Sequence, residues 1–354
     1  MKRIVHVVGT GTIGEPLTGL LVSNKRALGI DEVTFHKRTP TPLDQPKIKD
    51  LIRRGAKLCV GDEARDGFDK MDLKAEYEAE QAIEQASVVI DCTPAGNEEK
   101  ERIYSKYADG SRLFLAQGSE FGFGKPYARG INDEVLVRGE DQYLQIVSCN
   151  THNIAVIVEN IALKPHGDDN LAEGRFICIR RANDITQSSK FIPAPEVGSH
   201  GDPKFGTHHA RDVYHLYGTK GVDLNVFSSA MKVNTQYMHI IQFSLKLNRP
   251  TDKETVVEQI RGNDRLSRTN QKSSGVVFSF GRDHGAYGRI LNQTVFAMPS
   301  LHVSEDGKEV TGYCFTPQDG NSLLSSISAA VWHLYPDEVG EKLSCLAPNF
   351  FSEI

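Results

Sequence analysis

The chain has 354 residues, long enough for two domains of ordinary size that fold without disulfide or metal support. Charged residues make up 25% and the net charge is −5 with no long basic block, which argues against a chain built to coat nucleic acid. No apolar run reaches the ~18 residues of a membrane span, and Met1 to Val8 lacks the long apolar segment of a secretory signal, so no membrane association is expected and the chain reads as cytoplasmic. The six cysteines (Cys59, Cys92, Cys149, Cys178, Cys314, Cys345) show no CxxC pair and no zinc-type spacing, so no metal is expected.

In chain order, Arg3 to Val8 is a β-branched run that enters Gly9-Thr-Gly-Thr-Ile-Gly14 and then a helix-compatible stretch, Glu15 to Ser23. Strand, Gly-x-Gly-x-x-Gly and helix in that order predict a dinucleotide turn. Gly9, Gly11 and Gly14 allow the tight turn, the close approach of a pyrophosphate, and helix packing. A second strand, Glu32 to His36, ends in Lys37-Arg38, where an NAD-preferring site usually carries an acid to hold the ribose hydroxyls. Two cations suit a 2′-phosphate, so NADP is preferred over NAD, the alternative being a solvated basic turn. Further strands are expected at Ser87 to Asp91 and Arg112 to Ala116, each followed by small residues, as at the ligand crevice of a doubly wound sheet. Glu76 to Gln85 reads as an acidic surface helix.

A strand-like run, Tyr143 to Val147, leads into Ser148-Cys149-Asn150-Thr151, and Asn153 to Leu163 reads as a helix. Cys149 would then sit near a helix amino terminus, where the peptide dipoles favour thiolate, and is placed to attack an aldehyde beside a nicotinamide ring. A buried structural cysteine is the alternative. Beyond it strands are expected at Arg175 to Arg181, Tyr237 to Leu247, Val276 to Phe280, Gln293 to Met298 and Glu309 to Phe315, giving an α+β catalytic domain with a mainly antiparallel sheet beside the α/β Rossmann domain. Arg180 and Arg181 would point to opposite faces of their strand and should not share one job. His208-His209, in a Gly-rich loop region, and Arg180 suit a phosphorylated aldehyde, and His239 is the natural general base. A histidine pair on a loop can also be a metal site, but no third acidic ligand stands at a suitable spacing.

Seven motifs carry a resemblance: Gly9-x-Gly-Thr-Ile-Gly14, Asp91-x-Thr-Pro-x-Gly96, Gln117-Gly118, Val147-Ser-Cys-Asn-Thr151, Ile179-Arg-Arg-Ala182, His208-His-Ala-x-Asp-Val213 and Thr235-x-x-Met-His239. In this order the chain resembles the archaeal-type (type II) glyceraldehyde-3-phosphate dehydrogenases over nearly its whole length. The resemblance implies that Cys149 is the nucleophile and His239 the acid/base, with Ser148, Asn150, Thr151, His208 and His209 on substrate-contact motifs. It places Thr12, Ile13, Gly118, Arg181 and Gln318 on positions associated with the nicotinamide nucleotide, and Lys37 near the 2′-phosphate. It implies a nucleotide-binding domain of 1–148 with 321–354, to which the helical Ser322 to Leu334 returns, and a catalytic domain of 149–320. Glyceraldehyde 3-phosphate and inorganic phosphate would be the substrates, and a homotetramer the assembly. His152, where the family often has a second Thr, and Gly201-Asp-Pro-Lys-Phe-Gly206, ahead of the His pair, depart from the pattern.

The chemistry so implied is oxidation of the aldehyde through a cysteinyl thioester that phosphate then cleaves. Two other readings compete: an acyl-phosphate reductase of the aspartate-semialdehyde or N-acetylglutamyl-phosphate type, and a non-catalytic nucleotide-sensing Rossmann protein. The first would need a pocket for a substrate carboxylate; the second is disfavoured by the presence of both Cys149 and His239.

Overall fold

Ile4–Val8 forms β1 with every residue buried, as expected for a run of apolar and β-branched residues covered on both faces. The computed structural model describes residues 2–118, 120–184, 191–317 and 319–354. The chain divides into two compact units, the first made of Met1–Lys125, Leu136–Ile146 and Leu323–Ala347, the second of Pro126–Val135, Val147–Ser322 and Pro348–Ile354.

In the first unit β1 is joined by β2 (Glu32–His36), β3 (Lys57–Val60), β4 (Tyr77–Glu78), β5 (Val88–Asp91), β6 (Leu113–Gln117) and β8 (Tyr143–Ile146), while β7 (Lys125–Tyr127) starts at the last residue of the unit's first segment. The sheet order is β4-β3-β2-β1-β5-β6-β8-β7, and the pairs from β4 through β8 are parallel. The chain moves outward from β1 through β4, then restarts at β5 on the other side of β1. That reversal is the switch point at which an open α/β sheet leaves a crevice beyond its strand ends. Helix α1 (Gly14–Asn24) follows the glycine turn with Leu17, Leu20 and Leu21 buried. Tyr104, Phe114, Ala116 and Phe123 pack with Val8 and Val89 in one core cluster of this unit.

The second unit carries a mixed sheet. Its strands are β9 (Leu171–Arg180), β10 (Glu196–Val197), β11 (Val226–Lys232), β12 (His239–Leu247), β13 (Leu266–Thr269), β14 (Thr294–Ala297), β15 (His302–Val303) and β16 (Glu309–Thr316). The order is β10-β11-β9-β12-β16-β14-β13, with β15 on β16. The mainly antiparallel sheet expected from the sequence is corrected in two places: β9 pairs with β11, and β13 with β14, in parallel. Parallel neighbours need a crossover, and the intervening helices α3 (His208–Gly218) and α4 (Ser274–His284) lie on those connections. Both are helical where the sequence pattern predicts a loop and a strand. Val276 to Phe280, expected as a strand, belongs to α4, where Val277 and Gly281 are the buried residues, one helical turn apart. The His208-His209 region, expected as a loop, opens α3, and its burial at His209, Ala210, Val213, Leu216 and Tyr217 follows a 3–4 spacing.

Helix α2 (Cys149–Val158) is buried at all positions after Cys149 and packs into the main core with Phe176, Leu216, Ile241 and Phe243. The last five positions, Ile154 to Val158, are apolar, and the polar first turn, Asn150 to Asn153, is buried as well, so the helix is held from several sides. Helix α5 (Gly320–Leu334) follows β16, and in the first unit its Ser326 Oγ accepts a 2.7 Å hydrogen bond from Gln117 Nε2. Among the described residues, no helix is long and apolar enough to cross a membrane.

Candidate active site

The first unit holds a cleft of about 620 Å³ lined by Gly9, Thr10, Gly11, Lys37, Arg38, Cys92, Thr93 and Tyr104, among others. Its floor is the crevice between the ends of β1 and β5. Gly9 adopts φ +92°, and a side chain on Gly14 would lie 2.0 Å from the Gly9 carbonyl oxygen, so the turn closes only with glycine at both positions. On the side where Gly11 would carry a Cβ there is no atom within 4 Å. These observations fit a nicotinamide dinucleotide: a bare backbone faces open space, and no side chain caps the start of α1. Lys37 is already engaged, its Nζ 2.6 Å from Asp44, whose other oxygen is 2.7 Å from Lys47. Arg38 is exposed and has no ion-pair partner among the described residues. Four carboxylates, Glu63, Glu78, Glu80 and Glu99, share the lining.

Other residues expected at the nucleotide sit elsewhere. Thr12 and Ile13 continue the turn into α1 without lining the cleft, and Gly118, at φ +71° beyond β6, does not line it either. Arg181 belongs to the second unit, and Gln318 lies outside the described residues.

In the second unit Cys149 is the first residue of α2. Ser148 caps the helix, its hydroxyl accepting the Thr151 N–H at 3.3 Å and bonding the Thr151 hydroxyl at 2.8 Å. Asn150 turns into the interior, where its Oδ1 accepts from the Thr316 hydroxyl at 3.2 Å. The substrate-contact motif therefore builds the helix start that presents Cys149. The helix start favours thiolate, and burial works against it. Burial pushes the Cys149 thiol well above its ordinary value, Asp319 adds to the push, and Arg181 opposes it. A helix terminus supplies only ~0.3–2 kcal/mol, less than the cost of removing a charge from water.

Arg181 is buried and its guanidinium lies 3.2 Å from both Asp319 and Asp184. Its Nε has no partner among the described residues. Asp319 holds φ +67°, a left-handed conformation that aspartate tolerates better than most residues and that marks a constrained turn. The Arg181 main-chain N–H donates to His239 Nδ1 at 3.0 Å. A backbone amide only donates, so Nδ1 is unprotonated and the ring proton of neutral His239 is on Nε2. Burial, then Arg181 and Arg180, hold His239 well below the usual imidazole range, which keeps it neutral. His239 therefore stands as an Nε2–H donor, whereas a general base needs a free lone pair at that atom.

Arg180, on β9, has no ion-pair partner among the described residues, yet its charge depresses His208, His209 and His239 together. His208 is pushed down to about 4, mainly by burial and then by Arg180. The His208 and His209 rings lie 3.9 Å apart, and both nitrogens of His209, 3% exposed, lack a hydrogen-bond partner among the described residues. Their place is fixed by Ser228 on β11, which bonds the Thr207 hydroxyl at 2.6 Å and accepts the Ala210 N–H at 3.1 Å. An unpaired guanidinium beside a buried, unsatisfied imidazole is a setting that a phosphate oxyanion would satisfy. Among the described residues no group of three His, Cys, Asp or Glu is arranged to hold a metal.

Sequence reasoning missed Thr316, Asp319 and Asn321, whose Nδ2 donates to the Cys149 carbonyl at 3.0 Å. The available signal was turn chemistry: Asp319-Gly320-Asn321 between a strand and a helix.

The arrangement defines a dinucleotide-type α/β unit joined in one chain to a unit with a helix-initiating cysteine and a cation–histidine cluster. No protein-family model matches the chain. Among curated proteins it is 25% identical over 323 residues to glyceraldehyde-3-phosphate dehydrogenase of Sulfolobus acidocaldarius, covering 88% of this chain and 86% of that one. Similarity to the proteins of that name from Metallosphaera sedula (26% identical, 86% and 85% covered) and Pyrococcus furiosus (25%, 80% and 79%) is of the same order. The chain is a distant relative of these archaeal proteins.

Proposed function

We propose that the protein is a phosphorylating glyceraldehyde-3-phosphate dehydrogenase that prefers NADP and converts glyceraldehyde 3-phosphate and inorganic phosphate reversibly to 1,3-bisphosphoglycerate. The observation that carries the reading is the grouping, within one compact unit, of Cys149 at the start of a rigid helix with Arg180, unpaired among the described residues, the partly buried His208 and the buried His209 and His239. The archaeal relatives of that name support it along most of the chain.

The Cys149 thiol, held protonated by burial, releases its proton to solvent and attacks the aldehyde carbon as thiolate; an S–C bond forms and the carbonyl π pair moves to oxygen, giving an alkoxide. His239 Nε2–H and the amino end of α2 stabilise that oxygen. When bound, the nicotinamide ring supplies a positive charge and the acceptor for the hydride. Cys149 then carries the acyl group as a thioester. Phosphate adds to the thioester carbonyl, the C–S bond breaks, and the acyl phosphate leaves Cys149 as thiolate. Sulfur is required because a thioester conserves the energy of aldehyde oxidation that hydrolysis would lose. Arg180, His208 and His209 hold the substrate phosphate. The alkoxide needs no base once the thiolate has formed, so the fixed tautomer of His239 is compatible with the oxidation.

Lys37 and Arg38 favour NADP by facing a 2′-phosphate, Arg38 more than Lys37 because Asp44 already shares the lysine. The chain assembles into a homo-oligomer, a tetramer by resemblance, supported by Ile177 and Tyr313 exposed on the uncovered sheet face, each opposite Gln242. Purified protein given NADP, glyceraldehyde 3-phosphate and phosphate tests the reading. NADPH formation that requires all three supports it, whereas turnover only of aspartate or N-acetylglutamate semialdehyde assigns the site to another acyl-phosphate chemistry.

A further inference from the structure

The first turn of α2 is tied to the sheet by one hydroxyl. Thr316, the last residue of β16, accepts a 2.8 Å hydrogen bond from Asn153 Nδ2 and donates at 3.2 Å to Asn150 Oδ1. Asn150 and Asn153 stand three apart, on one face of the turn that begins with Cys149. Asn153 Oδ1 in turn accepts from the Cys314 thiol at 3.3 Å. All four side chains are at most 2% exposed, and the Thr316 hydroxyl uses both its donor and an acceptor.

Thr316 also stands in β-register directly opposite His239, the first residue of β12. One residue thus touches the helix that presents the sulfur and the strand that presents the imidazole. Leu or Val in place of these buried polar groups would pack with less desolvation cost. The network has a use where the relative placement of two elements matters more than the stability of either. The second anchor of His239, the Arg181 amide, fixes its tautomer but has no bond to α2.

We propose that Thr316 is a positioning residue that sets Cys149 relative to His239 through Asn150 and Asn153. The inference rests on the catalytic reading of Cys149 and His239 above. Valine keeps the shape of threonine but not its hydroxyl, and leaves Asn153 Nδ2 and Asn150 Oδ1 without their shared partner. A misplacement of ~1 Å between reacting groups costs on the order of 100-fold.

The experiment compares Thr316→Val with Thr316→Ser in steady-state kinetics with NADP, phosphate and glyceraldehyde 3-phosphate, and in the pH dependence of Cys149 alkylation by iodoacetamide, located by mass spectrometry. The expected result is a kcat lowered ~10–100-fold in Thr316→Val with KM values within a few-fold, a displaced alkylation profile, and return of both toward wild type in Thr316→Ser. Wild-type kcat and alkylation in Thr316→Val overturn the proposal, as does a Ser variant no better than the Val variant, because the loss then follows packing and not the hydroxyl. If Thr316→Val does not fold, Thr316→Cys, with only weak hydrogen bonding, takes its place against Thr316→Ser. A wild type inactive toward glyceraldehyde 3-phosphate, with the alkylation contrast intact, refutes the assigned reaction and leaves the positioning role standing.

Discussion

The nucleotide cleft and the cysteine site differ in how they handle charge. Around the cleft Lys37 is paired with Asp44, Arg38, Glu63 and Glu80 are exposed to water, and a bare glycine turn provides the shape. In the second unit burial dominates: His208, His209 and His239 are held neutral and the Cys149 thiol is held protonated, while Arg180 has no ion-pair partner among the described residues. One region carries its charges near water. The other sets one charged guanidinium, Arg180, among groups that burial keeps neutral. Substitutions should therefore act on binding in the cleft and on the chemical step in the cysteine unit.

The largest effect should come from Cys149→Ser, which removes the thioester route; kcat is expected to fall at least ~1,000-fold, and residual activity near wild type would sink the mechanism. Next comes His239. Replacement by Ala, which removes the Nε2–H donor, should cost ~100-fold or more in kcat, while Asn, which keeps a donor but cannot titrate, should cost less and leave the pH profile flat. Equal losses in the two variants would instead favour proton transfer by the ring.

Substitution of His209 by Ala should raise KM for glyceraldehyde 3-phosphate ~10-fold or more, as expected for a lost charge-assisted contact, with kcat little changed; an unchanged KM removes His209 from the phosphate site. In the cleft, the double change Lys37→Ala with Arg38→Ala should shift the ratio of NADP to NAD dissociation constants by ~10-fold, most of it from Arg38. Equal weakening of both nucleotides would mean that the two cations only attract the shared pyrophosphate. Screening of exposed charges sets this effect below the others.

A smaller, global consequence follows from the buried histidines. His6 is lowered to about 3 and His152 and His208 to about 4, all chiefly by burial. Groups with depressed folded-state pKa values bind protons more readily when unfolded, so their stabilisation is complete above pH 6.5 and is lost as pH falls from there toward 4. The urea midpoint should drop over that window, and His6→Gln, expected to remove one such group, should flatten the drop.

The cleft was legible because its information is local: Gly9, Gly11 and Gly14 lie within six residues, and strand, turn and helix follow one another. Cys149 was legible for the same reason, as a cysteine between a strand and a helix. Thr316, Asp319 and Asn321 were not, since each reaches the site through a partner over 130 residues away: Asn150, Arg181 and Cys149. Local β propensity misled at Val276 to Phe280, where tertiary packing selects a helix. The thiol's charge state was also beyond local reading, because the helix terminus is visible in sequence and the depth of burial is not.

The central claim is that Cys149 carries the acyl group between oxidation and phosphate transfer. Intact-mass and peptide analysis of the enzyme mixed with NADP and glyceraldehyde 3-phosphate in phosphate-free buffer tests it directly. The account predicts an acyl adduct confined to Cys149 that disappears when phosphate is added and acyl phosphate is formed. NADPH production without any adduct on Cys149, or an adduct that phosphate does not discharge, would contradict it.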